Sequence, residues 1–418
     1  MAFKGNLWKH KDFLKFWTGD TVTQFTGPIT NLAIPTIALQ NLNATPLQFG
    51  ILTALGFVAF PTFGLFVGVW IDRVRRRPVL IAANLVQVVT LASVPFAYVL
   101  GQLGLTQLYV VSLIMGTSTL FFDVAYQAYL PSLVNRQDIV EGNQKLQVSA
   151  SAAEVIGPGV ASGLMSIVGA PNSPAADALG TLLSVFTLAS IRKPEPKPDP
   201  KPLHSAAGGQ WHFFAEMREG IKVITGNKLL WTQAGCTSTS NLGSNIFFVA
   251  FFLYAYRILG ISKDVIGIPF CIGAVGLLVG VLVCSSVTEK LGLGRTIALA
   301  AACSFGLLIM LVNTTFPLLV IGAALFVSSL GNPIYNINQV SLRQIITPNR
   351  LQGRMNATMR TIIWGTIPVG SFLGGIFSTF VGIIPTLIIG SVISGASFLW
   401  IALGPIFKLS KQPEPASD

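Results

Sequence analysis

Residues 48–70 read QFGILTALGFVAFPTFGLFVGVW, residues 71–78 read IDRVRRRP, and residues 79–100 read VLIAANLVQVVTLASVPFAYVL. Two long apolar runs meet at a short segment holding Asp72, Arg73, Arg75, Arg76 and Arg77. About 20 mostly apolar residues in a helix cross a bilayer's hydrocarbon core, and only there is a chain this poor in polar groups at home. The stretch therefore predicts two membrane-spanning helices joined by a tight basic turn on one face.

The pattern repeats in both directions. Apolar runs fall at 14–38, 48–71, 78–100, 107–130, 146–169 and 174–191, and again at 229–257, 265–288, 296–314, 317–341, 355–380 and 383–407. The fold class expected is an all-α membrane protein with twelve transmembrane helices in two pseudo-symmetric six-helix bundles. Composition agrees: 52% of the 418 residues are hydrophobic, 10% are charged, and mean hydropathy is +0.66. A soluble domain carries about 25% charged residues, so a soluble multidomain protein is excluded.

The net charge of +11 is a matter of topology. With the N-terminus inside, 25 of the 27 Lys and Arg fall on the inner side, leaving Arg257 and Lys263 outside. Positive charge on the cytoplasmic side orients bacterial membrane proteins. The expected location is the bacterial inner membrane, multi-pass, with both termini cytoplasmic, and no nucleic-acid partner is called for. The basic segment Met1–Lys15 before a long apolar run reads as a retained anchor rather than a cleaved signal. Cys236, Cys271, Cys284 and Cys303 lack metal or disulfide spacing, and His10, His204 and His212 lie outside the apolar runs.

Between the sixth and seventh runs lies Arg192-Lys-Pro-Glu-Pro-Lys-Pro-Asp-Pro-Lys-Pro202, which predicts an extended hydrated linker. Trp211, Phe214, Met217, Ile221 and Ile224 then recur at helical spacing, as in a helix lying on the inner membrane face or packed against helix ends. The expected division is an N-terminal bundle over 1–191, a linker with an amphipathic helix over 192–228, and a C-terminal bundle over 229–418. The halves echo each other: Gln127-Ala-Tyr-Leu130 matches Gln339-Val-Ser-Leu342 at an offset of 212, and Asp72-Arg73 matches Glu289-Lys290 at 217. Parallel duplication of six spans is a transporter architecture.

Gly68-Val-Trp-Ile-Asp72-Arg73-Val-Arg-Arg76-Arg77 resembles the major facilitator loop signature GxxxD(R/K)xG(R/K)(R/K), with Arg75 where the second glycine belongs. Gly157-Pro158 in the fifth run resembles the core of an antiporter signature of that superfamily. With Phe16-Trp-Thr-Gly-Asp20, Asp177-Ala-Leu and Gln352-Gly-Arg-Met-Asn356, nearly the whole chain is similar to the bacterial branch containing macrolide efflux and enterobactin exporters. The resemblance implies gating roles for Gly68, Asp72, Arg73, Arg76, Gly157 and Pro158. In particular, Asp72 would latch the inner side, glycines would let helices approach closely, and Gly157-Pro158 would bend the fifth helix. The arginine that relays protons in many members, four residues before a glycine in helix 4, is Ser112 here, so that role is not carried over.

A transport path needs polar groups that lipid would reject. Asp20, Gln24 and Asn31 share a face of the first run; Asp123, Tyr126 and Gln127 lie in the fourth. Gln233, Thr237, Asn241 and Asn245 lie in the seventh, and Asn332, Tyr335, Asn336 and Gln339 in the tenth. The resemblance implies that these four helices line a central cavity, making the uncharged members substrate-binding candidates; for each, an interhelical hydrogen bond is the alternative. A charged Asp at the centre of a span costs about 2.5–3.5 kcal/mol on insertion scales, so such groups pair or serve function. Glu154, Asp20 and Asp123 are therefore the proton-coupling candidates, with Glu154 about 12 Å into its helix. Asp177, at the start of the sixth run, reads as an N-cap.

These features point to a secondary transporter exporting a small amphiphilic compound against protons by alternating access. An uptake permease or a lipid-moving member of the superfamily is the alternative. No cofactor is implied: the proton gradient is the energy source, with sodium as the other candidate ion. The partners expected are the substrate and the bilayer, with the protein a monomer. No phosphate loop, HExxH or nucleophile cluster supports an enzyme.

Overall fold

The computed structural model describes residues 6–71, 73–134, 138–195, 221–311, 315–347 and 349–410. Among them the secondary structure is helical throughout. The helices are α1 (Lys11–Thr36), α2 (Pro46–Leu55), α3 (Ala59–Ile71), α4 (Arg76–Val99), α5 (Leu105–Leu133), α6 (Ile139–Val168) and α7 (Pro174–Ala189). They continue with α8 (Lys228–Leu253), α9 (Gly267–Leu291), α10 (Leu293–Ala302), α11 (Pro317–Ile345), α12 (Asn349–Phe380), α13 (Ile383–Ala396) and α14 (Phe398–Ala402).

Every expected run carries helix, although three are interrupted. The second run is broken between α2 and α3, the ninth turns into a 3₁₀ segment at Cys303–Leu311, and the twelfth divides into α13 and α14. Among the described residues, nine helical stretches are long and apolar enough to cross a membrane. Neither α1 nor α8 is in that set, and both carry a polar stripe, which lowers their hydropathy without shortening them.

The internal repeat is visible in the helix bounds. α1 and α8 are both 26 residues long and start 217 residues apart. Each ends in a single π-turn, Ile37–Asn41 in one and Tyr254–Ile258 in the other, again 217 apart. α5 and α11 are both 29 residues long and start 212 apart. A π-turn is a rare local distortion, and its recurrence at the sequence offset agrees with the internal repeat.

The chain forms two compact units. One comprises residues 1–45, 55–200 and 260–271; the other comprises 46–54, 201–259 and 272–418. In the first, α1 packs on α6 and α7, and α4 packs on α5 and α7. Small residues set these spacings: a Cβ on Gly19 would meet Thr187 Oγ1 at 2.2 Å, and one on Gly157 would meet Pro28 Cγ at 2.6 Å. In the second, α8 packs on α12 and α13, and a Cβ on Gly243 would lie 2.3 Å from the Ser394 nitrogen.

Two short stretches join the unit opposite in sequence. Gly50 of α2 abuts Gly375 of α12 within the second unit, where an added Cβ would lie 2.7 Å from the Gly375 Cα. Gly267, the first residue of α9, abuts α6 within the first unit. Its N–H donates to Ser162 Oγ at 2.7 Å, and an added Cβ would lie 1.9 Å from the Pro158 carbonyl oxygen.

Candidate transport site

Tyr126 organises the polar centre of the first unit. Its ring lies between Phe16, at 5.3 Å between centroids, and Phe122, stacked at 5.7 Å. These contacts fix the ring and aim the hydroxyl at Asp20, which is hydrogen-bonded to both Tyr126 and Gln24. Asp20 is only 4% exposed, and its Oδ2 is buried without a hydrogen-bond partner among the described residues. Asp123, one turn before Tyr126 on α5, acts electrostatically on the same phenol. Two of the three acidic candidates therefore converge on one tyrosine.

Gln24 and Tyr126 also line a cavity of about 440 Å³, together with Asn143, Gln144, Leu146, Gln147 and Ala150 of α6. That volume is in the range of small-molecule sites. Among the described residues the lining is amide-rich and has no cationic side chain. Lys145, in the middle of the α6 contribution, is turned away: its ammonium pairs with Glu141 at 3.2 Å and lies 3.8 Å over the Trp8 ring.

Asn143, Gln144 and Gln147 were missed by sequence reasoning because the fifth run was expected to begin at 146. α6 begins at Ile139 instead, so the polar residues before the apolar run form its first turns. Their spacing of one and then three residues was the available signal. The same extension puts Glu154 about 22 Å from the start of its helix rather than 12 Å. Glu154 is exposed on α6 and does not belong to the Asp20–Tyr126 cluster.

In the second unit the candidate residues of α8 and α11 meet each other. Thr237 Oγ1 and Tyr335 OH lie 2.7 Å apart, and Gln233 Nε2 donates to the Gln339 carbonyl at 3.4 Å. Asn241 donates to the Ile363 carbonyl, Asn245 to the Asn241 carbonyl, and Asn336 to Asn332 Oδ1. Gln233, Tyr335 and Gln339 are buried, whereas Asn332 and Asn336 are exposed, as are Asn31 and Gln127 in the first unit.

Among the gating candidates, Asp72 lies outside the described residues, as do Trp211–Gly220 of the expected surface helix; Ile221–Gly226 is helical. Gly68 corrects an expectation, because among the described residues an added Cβ there would meet nothing within 4 Å. Arg73 is exposed. Arg76 pairs with Glu195 at 3.8 Å, and Glu195 also accepts the backbone N–H groups of Arg76 and Arg77 at 2.7 and 3.0 Å, so its carboxylate caps α4. Gly157 provides the close approach expected of it, and Pro158 sits within α6 without ending it.

Asp177 also departs from expectation. The N-cap of α7 is Ser173, followed by Pro174 at the first helical position. Asp177 is buried, and its two oxygens accept hydrogen bonds from Thr26 Oγ1, at 2.7 Å, and Thr30 Oγ1 of α1.

Comparison with known proteins bears on this arrangement. Residues 17–363 match the family model described as Major Facilitator Superfamily. Macrolide efflux protein A of Streptococcus pyogenes is 27% identical over 228 residues, 54% of this chain and 54% of that protein. Macrolide efflux protein A of Enterococcus faecalis is 26% identical over 180 residues, 43% of this chain and 54% of that one. The chain thus spans about half the length of the curated relatives it matches. Among solved structures, a bacterial homologue of the iron transporter ferroportin, in an inward-facing state, superposes with a TM-score of 0.74 at 14% identity, covering 96% of this chain and all of that one. A mutant of the nucleoside transporter NupG superposes at 0.73 and 13%, covering 95% and all. At these identities the likeness shows the fold alone.

Proposed function

The chain belongs to the Major Facilitator Superfamily, and on that premise we propose that this multi-pass membrane transporter exports a small amphiphilic compound in exchange for protons. It is a transporter and not an enzyme. The observation that carries the finer reading is the junction of Asp20 with the cavity. An ionised Asp20 accepts from Tyr126 and Gln24 and so holds two lining groups away from a ligand. A proton on Asp20 removes the charge that strengthens both bonds, so the phenol and the amide are held less tightly and can turn to a ligand. Substrate and proton thus act on the same two side chains, which is the linkage an exchanger needs.

Export as the direction draws support from the macrolide efflux relatives at 26–27% identity. The charge distribution supports cytoplasmic termini in a bacterial inner membrane. The cycle proposed is alternating access between two six-helix halves of a monomer, 1–191 and 229–418, joined by the 192–228 linker, with twelve crossings. Asp20 and Asp123 fit the coupling role by position. Glu154 serves it as an exposed carboxylate within an apolar helix, where an intramembrane charge is costly.

Efflux of macrolides, amphiphilic dyes and siderophores from a drug-hypersensitive bacterium tests the proposal. Efflux should collapse with a protonophore and lose that sensitivity in Asp20→Asn. Accumulation rather than efflux would replace export with uptake. Efflux that follows an imposed sodium gradient and ignores the protonophore would replace the coupling ion.

A further inference from the structure

Among the described residues, Asp177 is a buried carboxyl without a counter-ion. α7 packs on α1 and α4, whose ionisable groups are Lys11, Asp12, Lys15 and Asp20 on α1 and Arg76, Arg77 and Tyr98 on α4. None of these acts on Asp177; its partners among the described residues are the hydroxyls of Thr26 and Thr30. Asp20 is the nearest of them along α1, six residues before Thr26, about 9 Å of helix rise away.

The hydrogen-bond pattern accommodates two protonation states. When Asp177 is ionised, Thr26 and Thr30 each donate to one oxygen. When it is protonated, one oxygen must become a donor, and the threonine it faces must send its own hydrogen elsewhere. Thr26 has that second acceptor in place: its Oγ1 lies 3.4 Å from the Thr23 carbonyl. Protonation then makes Asp177 donate to Thr26 Oγ1 while Thr26 donates to Thr23, and no group is left unsatisfied. One proton enters and one unit of buried negative charge disappears. Protonating a salt-bridged aspartate would leave its cation unpaired, and backbone amides, which only donate, could not accept the acid's hydrogen.

We infer that Asp177 is a second proton-binding site of this transporter, at the contact between α1 and α7 and apart from the Asp20 cluster. Its role in coupling rests on the proton-exchange reading above; its proton binding does not. Loss of the charge changes what holds α1 to α7, from two hydroxyls donating to a carboxylate to an acid donating to one of them. The site can therefore report proton occupancy to the helix that carries Asp20.

Infrared difference spectroscopy on the purified protein in lipid nanodiscs tests this directly. Spectra taken across a pH series should contain a carboxylic-acid C=O band that titrates, amounting to one carboxyl per chain. The band should vanish in Asp177→Asn, remain in Asp20→Asn, and move to higher frequency in Thr26→Val, where a hydrogen bond is lost. Thr26→Val keeps the test open if Asp177→Asn fails to fold. An unchanged band set in Asp177→Asn, or no shift in Thr26→Val, would overturn the inference. So would an Asp177 band that is present at every pH, since the proton would then be permanent. Wild-type efflux indifferent to a protonophore would sink the coupling proposal while leaving the spectroscopic result to decide Asp177.

Discussion

Replacing Gly267 by Ala should force α9 away from α6. The new Cβ would lie 1.9 Å from the Pro158 carbonyl oxygen and 2.5 Å from Ser162 Oγ, against about 3.5 Å for an ordinary contact. The carbonyl belongs to a helix backbone and cannot rotate away, so α9 must retreat by about 1.5 Å. That retreat also breaks the 2.7 Å bond from the Gly267 N–H to Ser162 Oγ. Overpacking costs about 1–3 kcal/mol and the bond about 0.5–1.5 kcal/mol. Together they favour the parted arrangement by at least about tenfold, since 1.4 kcal/mol is a factor of ten. The chain carries its own reporter: Cys271 Sγ lies 3.1 Å from where a Cβ on Gly159 would sit, inside the same contact. With Cys236, Cys284 and Cys303 changed to Ala, a bulky maleimide should modify Cys271 at least about tenfold faster in Gly267→Ala than in the parent. Gly163→Ala on α6 is the control, because nothing lies within 4 Å of its added Cβ. Equal labelling rates in Gly267→Ala and the parent, from proteins of equal melting temperature, would refute the reasoning.

Glu195→Gln should lower the melting temperature in detergent by a few degrees, because the carboxylate caps α4 and pairs with Arg76, a combination worth about 0.5–2 kcal/mol; an unchanged midpoint would count against the cap. Burial pushes the Asp12 carboxyl up, but the backbone N–H of Arg192, the Lys15 ammonium and the backbone N–H of Lys193 outweigh it and hold the group below its ordinary value of 3.8. Its contribution is therefore complete above the ordinary value and is lost as pH falls through the lowered one. The difference in thermal stability between wild type and Asp12→Asn should accordingly be constant near neutrality and close only below about pH 4; closure near pH 6 would contradict this. Trp8→Ala should release the N-terminal segment by removing the ring under the Lys145 ammonium, a cation–π contact worth about 0.5–2 kcal/mol, seen as faster proteolysis before Lys11; unchanged cleavage would argue that this contact does not hold the segment. Tyr126→Phe, which removes a hydroxyl shared by Asp20 and the cavity, should weaken substrate affinity and reduce protonophore sensitivity together; loss of either alone would break the proposed linkage.

The fold was legible because a bilayer imposes one rule on every span, and the rule shows in composition. Runs of the required length had to be helices, and their offsets of 212 and 217 residues reappear in the helix bounds and in the paired π-turns. Boundaries were less legible on the polar side. α6 extends seven residues ahead of its apolar run because a helix does not stop where hydrophobicity does, and Asn143, Gln144 and Gln147 are exposed to a cavity rather than to lipid. The exchanged pieces 46–54 and 260–271 had no sequence signal either. They depend on glycines at Gly50, Gly267 and Gly375 that a sequence shows as three among 41.

Polar residues inside spans were found readily, but what each one faces was not. Position on a helix gives a direction, whereas function depends on the partner, and partners come from distant sequence. Thr237 and Tyr335 point at each other across 98 residues, and Thr26 meets Asp177 across 151. In the sequence Asp177 reads as a cap because it stands near a helix start, where an aspartate needs no other explanation. Ser173 and Pro174 begin that helix, so the carboxyl is spare, and a spare carboxyl held by two hydroxyls inside a membrane protein demands a reason that a cap does not. Asp20 makes the same argument from the other side. In the sequence it stands out only as an acid in a span, yet what distinguishes it is that its two hydrogen-bond partners also line the cavity. In this chain an intramembrane acid carries functional meaning according to how its neighbours would have to rearrange when it gains a proton.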